Sequence, residues 1–588
     1  MMKMRIHNGL GGVLLAVCLG GEAWASASAP YLDAARRFAD AVLEHGRDRY
    51  GEERTPLFAD GLHSESLEPV VWLGPHKAQW VLSNFANQQP LMRLLDGLTS
   101  LSGDSRYKEA AEAAAGWMLT HGAGPNGLLY WGRQVCIDLN TDQPVGFTLR
   151  HSTRAHQPYF ELMWRVNPDA TERLLSMIWM AHVVDWERLD YNRGGRNNND
   201  QTIVWDHPFD EDGPIPFPAT GDNLSFAGSS AFYVRSGVLL SLLGGNEKPL
   251  VWATRLVGQW QRARHPETGL SGGQLSWRAG NDRASDVLSR TYPGITEANV
   301  VASYHQSGRY HVLPLTQIQA GEVLWRKGGE YAAIGRRYIE SASEDLKTYA
   351  KQCFDPESGL FLPKITDGRV IDASKMTRSR YYSREDFLPA EANGDLVWGY
   401  AMAFRFTNDT AHWEMLRALA RQYDLGDLGE PDGRGAALNR DAGSLEWKWI
   451  YALLELHKAT DRGDLLQLAA RLGDNWIARQ SPTGLFPRPA PQPKRPGASI
   501  DHAKYPVGHA NYQEQPGRVW ARTGDEVPLA LLHLAAAIDG RRDKIPQGVY
   551  DTHGFRYPYE GQLEYYQRKR NDNTTYDWLI FYGIDGKW

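Results

Sequence analysis

Apolar residues recur at three- and four-residue steps through YLDAARRFADAVLEHG, YKEAAEAAAGWMLTHG, EYAAIGRRYIESASEDLKTYAK and LEWKWIYALLELHKA. That spacing gathers them on one face of a helix, so each run predicts an amphipathic helix with one buried side. The runs are punctuated by turns that repeat. A Gly/Asp/Asn pair opens a helix of roughly twenty residues and a Pro-x-Gly-Leu or Pro-x-x-Gly-Leu turn follows it, a variable-length self-similarity that signals stacked helical hairpins. Gly103-Asp104 leads to Pro125-Asn126-Gly127-Leu128, Gly245-Asn246 to Pro266-Glu267-Thr268-Gly269-Leu270, and Gly463-Asp464 to Pro482-Thr483-Gly484-Leu485; a fourth copy ends in Pro356-Glu357-Ser358-Gly359-Leu360. Strand signals are confined to short stretches such as GLLYW and GGQLSW after the turns. The architecture this predicts is all-α: an α/α toroid, a ring of antiparallel helix pairs, with functional groups at inner helix ends and connecting loops.

The pattern over 167–190, NPDATERLLSMIWMAHVVDWERLD, predicts one long helix with Asn167 as N-cap, Pro168 in the first turn, and Asp169 and Glu172 at the positive end of its dipole. Two polar knots flank it. The first holds Arg150, His151, Arg154, His156 and Tyr159; the second runs from Tyr191 through Asn192, Arg193, Gly194, Gly195 and Arg196 to three asparagines and Asp200. Loops carried on a rigid scaffold hold most chemistry, so this region is the expected working centre. Gly/Pro-rich stretches at DHPFDEDGPIPFPATGD and FPRPAPQPKRPGASIDHAKYPVGHANYQEQPG read as insertions on the cleft rim.

Composition narrows the ligand. With 64 basic and 70 acidic side chains the net charge is −6, which lacks the concentrated positive charge of nucleic-acid binders. The 21 tryptophans and 27 tyrosines supply flat faces suited to sugar rings, although the same residues fill helical cores. The first 27 residues read as a signal peptide: Lys3 and Arg5, an apolar run from Val13 to Leu19, then small residues at Ala23-Trp24-Ala25 and Ala25-Ser26-Ala27. Residues 28–588 are then one toroidal catalytic domain with a C-terminal extension from about residue 545, periplasmic or secreted. Cys136 and Cys353 form one disulfide or remain two buried thiols.

A site of this composition suits elimination across a uronate glycosidic bond. The carboxylate is neutralised to acidify the neighbouring C–H, a base removes that proton, and an acid protonates the leaving oxygen. Arg150, Arg154, Arg193, Arg196 and Asn192 are the candidate carboxylate clamps, and His151, His156, Tyr159 and Tyr191 the candidate proton carriers, with His156 or Tyr159 first. A second cluster in SYHQSGRYH offers Tyr304 and His305 to catalysis and Arg309 to binding, beside Tyr310. Trp131, Trp164 and Trp205 are candidate stacking platforms, and His182 reads as a core histidine. A hydrolase would instead need two carboxyl groups astride the bond, for which WDHPFDEDGP offers Asp206, Asp210, Glu211 and Asp212. A non-catalytic envelope glycan-binding protein is the third reading.

The helix with its flanks, GLLYWG before it and RVWARTGDEVPLALLHLAAAIDG near the C-terminus resemble the periplasmic pectate lyases of polysaccharide lyase family two. The resemblance implies an α/α barrel that cleaves pectate by β-elimination, with an arginine base and a divalent metal held by two histidines and a glutamate. It places the arginine at Arg193. The ligand positions it implies hold Gln134, Ser152 and Gly194 instead, so no cofactor is expected there, with a divalent metal bound by His151 and His156 as the alternative. His151 and His156, five apart, do not share a helical face. The expected partner is an acidic polysaccharide such as pectate or polygalacturonate.

Overall fold

Each repeat of the sequence becomes one turn of a ring. The computed structural model describes residues 11–73, 79–132, 135–146, 150–153, 157–197, 201–221, 223–278, 284–301, 309–376, 387–487 and 520–549. Seven outer helices, α1 (Gly11–His45), α3 (Ser105–Thr120), α5 (Pro168–Met180), α7 (Lys248–Arg262), α10 (Gly329–Cys353), α12 (Thr410–Gln422) and α14 (Gly463–Ile477), surround seven inner ones. The inner helices are α2 (Gln89–Ser102), α4 (Phe160–Val166), α6 (Ala227–Gly244), α9 (Arg309–Lys327), α11 (Gly394–Thr407), α13 (Lys448–Thr460) and α15 (Val527–Ile538), with a short α8 (Ala284–Thr291) in a loop. Inner neighbours pack in the order α4, α6, α9, α11, α13, α15 and α2, and α1 closes the circle against α14 and α15. The gap between α2 and α4 is bridged by Arg93, which donates to the carbonyls of Gln157 and Pro158 at 2.8 and 3.0 Å.

Inner and outer helices differ in sequence for a physical reason. An inner helix has neighbours on every side, so it is buried almost without interruption, as from Gly394 to Phe404 in α11 and from Val527 to Ala536 in α15. An outer helix hides one stripe only, as Leu465, Leu468, Ala469, Leu472 and Trp476 do in α14. The repeated turns do two jobs. At one end of the ring Gly103 closes α2 in the left-handed region (φ 79°) and Asp104 caps α3 by accepting from the Arg106 amide at 3.1 Å. At the other end the leucines of the Gly-Leu turns, Leu128, Leu270 and Leu485, plug the core completely. This second end also carries the N-termini of the inner helices.

The predicted helix over 167–190 is shorter than its pattern. Asn167 caps it as expected, accepting from the Ala170 amide at 3.0 Å, but α5 stops at Met180. Beyond it, Val183–Asp185 (β2) turns back on Asp190–Tyr191 (β3) through Leu189 at φ 54°. The β-branched pair Val183-Val184 suits a strand better than a helix and ends the periodic run. Cys136 and Cys353 are both buried and are not bonded to each other.

After α15 the chain doubles back into the bore. Arg541 donates to the Leu101 carbonyl at 3.1 Å, at the C-terminal end of α2. Ile545 and Pro546 pack against Gly97, Gln547 donates to Glu322 at 3.1 Å, and Gln319 donates to the Gly548 carbonyl at 3.3 Å. Gly548 also lies against Tyr451 and His533. Val549 sits among Arg93, Trp398, Lys448 and Glu526, near the opposite mouth. Among the described residues, no helix is long and apolar enough to cross a membrane.

Candidate functional site

The two polar knots meet. Arg150–Ser152 (β1) pairs antiparallel with Gly194–Arg196 (β4), placing Gly194 opposite Ser152, Gly195 opposite His151 and Arg196 opposite Arg150. Segments more than forty positions apart are thereby laid side by side at the mouth where the inner helices begin. Register is reinforced at both ends of the ladder. The Thr153 amide donates to the Arg193 carbonyl at 2.9 Å, and the His151 amide to Asn197 Oδ1 at 2.5 Å. Asn197 in turn donates to the Leu128 carbonyl, and Asn126 to the Arg196 carbonyl at 2.8 Å, tying the ladder to a Gly-Leu turn.

Arg193 sits at the bend into β4. It is half-buried, with its guanidinium carbon 5.8 Å from the centre of the Phe226 ring at the start of α6. The Asn192 carbonyl just before it accepts from the Tyr233 hydroxyl at 2.8 Å and contacts His182 Nδ1 at 2.8 Å. The Asn192 side chain accepts from the Gly194 amide and donates to Asn223 Oδ1 at 2.7 Å. His182 Nε2 lies 2.8 Å from His151 Nδ1. Both rings are wholly buried, and burial holds both below the ordinary imidazole range, His182 at about 4 despite its bond to Asn192. They are neutral at neutral pH.

Other expected residues fall elsewhere. Tyr159 is 7% exposed and donates to Asp96 Oδ2 at 2.5 Å; burial and that carboxylate push its phenol far up, so it stays protonated and joins α4 to α2. Its expected part as proton carrier is corrected to a packing one. Arg309 is likewise no substrate clamp: it is 2% exposed, bonded to Asp345 at 2.6 Å and Ser271 at 3.0 Å. Tyr310 is buried beside it. Trp131 is fully buried near His151, and Trp205, in an aromatic cluster with Trp179 and Trp186, lines a surface hollow with Asp169, Glu172 and Arg173, away from the ladder. Tyr191 is buried too, contacting the Phe226 carbonyl and Ser230. Arg196 is exposed. Arg154, His156, Tyr304 and His305 lie outside the described residues, and only the backbone of Arg150 is described. Asp206 bonds Lys248 at the start of α7, at the opposite end of the ring from Arg193, while the loop then runs back, with the Asp210 amide on the Glu187 carbonyl at 2.9 Å and the Gly213 carbonyl accepting from Arg262 at the end of α7. The residues missed from sequence are Thr153, Asn197 and Tyr233; only the asparagine run hinted at the second.

Two of the three ligand positions implied by the resemblance come together. Ser152 and Gly194 face each other across the ladder, and a Cβ on Gly132, two residues before Gln134, would lie 2.7 Å from Ser152 Cβ. Gln134 itself is outside the described residues. A hydroxyl and a hydrogen stand where a carboxylate and an imidazole would be needed, and among the described residues no three His, Cys, Asp or Glu side chains gather as a cation's ligands. Of the described residues at these positions, neither Ser152 nor Gly194 supplies a ligand suited to a divalent ion.

A ring of helix pairs with an arginine-bearing ladder at the inner-helix mouth defines an α/α-toroid protein with a polar rim site. The sequence profile of the periplasmic pectate lyases matches residues 55–504, and the chain belongs to that family. A pectate disaccharide-lyase of Dickeya dadantii (strain 3937) is 28% identical over 263 residues, 43% of this chain and 47% of that protein, so the chain spans about half of that relative's length. Among solved structures, an α-1,6-mannanase of Salegentibacter sp. HEL1_6 superposes with a TM-score of 0.37 at 10% identity, covering 87% of this chain and 99% of that one. Cellobiose 2-epimerase from Bacillus thermoamylovorans B4167 gives 0.39 at 10% identity, over 68% and 89%. The ring itself is established by the helix contacts described above.

Proposed function

We propose that the protein is an exported polysaccharide lyase that cleaves a polymer containing uronic acid by β-elimination, with pectate or polygalacturonate as substrate. The observation that supports this most is the joining of the two basic knots in one ladder, with Arg193 at its bend, in a chain of the periplasmic pectate lyase family. Arg193 neutralises the uronate carboxylate, which acidifies the neighbouring C5–H. His156 carries the proton: the C5–H bond breaks, its electrons form the C4–C5 double bond, the C4–O bond breaks, and the leaving oxygen takes up a proton. Arg196, exposed on the same ladder, adds positive charge for the next sugar along the chain.

The test is a panel of uronide polymers followed by ultraviolet absorbance and by reducing ends. Elimination makes an unsaturated product that absorbs; hydrolysis makes reducing ends without absorbance and would overturn the reading, as would binding with neither. Full turnover in both Arg193→Ala and His156→Ala would overturn the residue assignment alone.

A further inference from the structure

The bend that carries Arg193 is held by two imidazoles whose protons have one consistent arrangement. A carbonyl only accepts, so the Asn192 carbonyl obliges His182 Nδ1 to donate. A neutral ring carries one proton, so His182 Nε2 accepts and His151 Nδ1 donates to it. His151 Nε2 is left as a lone pair, and it is buried without a hydrogen-bond partner among the described residues. Strand β4 crosses directly over this contact: a Cβ on Gly195 would lie 2.2 Å from His182 Nε2, so only glycine lets the strand pass. The relay thus links β1, through His151, to the backbone of Asn192 and so to Arg193, in the same few ångströms where Ser152 and Gly194 face each other.

We propose that the His151–His182 pair, through the Asn192 carbonyl, holds the Asn192–Arg193 bend, so that this site is built and works without a divalent ion. The proposal rests on Arg193 being a substrate-contacting group, as proposed above. His182 is then a positioning residue: it acts through the Asn192 carbonyl and not on the sugar. An ångström of misplacement of a reacting group costs roughly 100-fold in rate.

Three measurements test this on the full chain. Elemental analysis of the purified protein should find no stoichiometric divalent metal, and its thermal midpoint should be the same in EDTA, calcium or manganese. Polygalacturonate turnover should be unchanged by EDTA. His182→Ala should lower kcat roughly 100-fold with little change in KM, whereas His182→Asn, whose amide N–H can still reach the Asn192 carbonyl, should recover most of it; His182→Gln, which keeps only the reach toward His151, should not. A bound divalent ion, or an EDTA loss restored by calcium or manganese, overturns the proposal. So does an equal fall for the alanine and asparagine variants that tracks their thermal midpoints. Should no uronide polymer be cleaved, the proposed function fails, while the metal content and the melting series still decide this inference.

Discussion

Both mouths of the ring are crowded with polar groups, and two clusters there, one around Arg405 and one at the Arg193 bend, are organised oppositely. At the mouth where inner helices end, charges consume one another. Arg405 bonds Glu322 at 2.8 Å and Glu455 at 2.6 Å, Glu455 also receives Arg542 at 2.7 Å, and Gln547 completes the shell on Glu322. Burial pushes the Glu455 carboxyl up, but Arg542 and Arg405 outweigh it and hold it at about 2. At the mouth where inner helices begin, the backbone of Arg193 is held by neutral groups: Asn192, Thr153, Tyr233 and the two histidines. The difference teaches that charge density alone does not mark a working site. Charge braced by opposite charge is architecture, whereas the bend at Arg193 takes its shape from neutral hydrogen bonds.

The strongest way to break this comparison is Arg193→Ala, expected to reduce polygalacturonate turnover by about a thousandfold, with a thermal midpoint close to that of the parent; a collapse of stability would make Arg193 architecture as well. At the other mouth Arg405→Ala takes from the buried Glu322 and Glu455 the cation they share, leaving Arg326 and Arg542 to them, and chemical denaturation should show a loss of about 1–3 kcal/mol. Gly195→Ala sits between the two, since its methyl group collides with His182: a loss of about 2 kcal/mol is expected, together with reduced kcat, and an unperturbed variant would show that the ladder is looser than described.

Acid sharpens the contrast. His182 has a folded pKa of about 4, below the ordinary 6.5, so above pH 6.5 it is neutral in both states and its full contribution is present. As pH falls from 6.5 toward 4 the unfolded chain takes up a proton that the fold refuses, and stability drops through that window before levelling off. The free energy of unfolding should therefore fall less steeply over this range in His182→Asn than in the parent; identical slopes would mean that the ring is not neutral and buried. The smallest effect is expected for the exposed Arg196→Ala: a KM for polymer raised by about threefold at low salt and hardly at all at high salt, as rim charges behave.

Much of this was legible because it is local. The amphipathic runs, the Gly-Asp and Gly-Leu turns and the Asn167 cap follow from residues a few positions apart, and they define the ring. The convergence of the two knots was also readable, since both flank one helical run. The end of α5 was not, because Met177, Ile178, Ala181 and Trp186 keep helical spacing while Val183-Val184 enter a hairpin. Nor were the roles of Trp131, Trp205, Tyr159 and Arg309: an aromatic or a cation that packs between helices has the same letters as one that meets a sugar, and only the depth of burial separates them. His182 was rightly read as buried, but its link to Arg193 depends on a backbone carbonyl ten residues on, which no side-chain pattern records.

The chain segment in the bore follows every described helix in sequence. Gln319, Glu322 and His533 line a hollow whose filling, Ile545 to Val549, is translated after every helix of the ring. Until those residues leave the ribosome, the inner walls hold polar groups facing an unfilled core, each a cost of about 1–3 kcal/mol if sealed from water. The polar groups of the inner wall thus find their partners in chain that follows all the described helices.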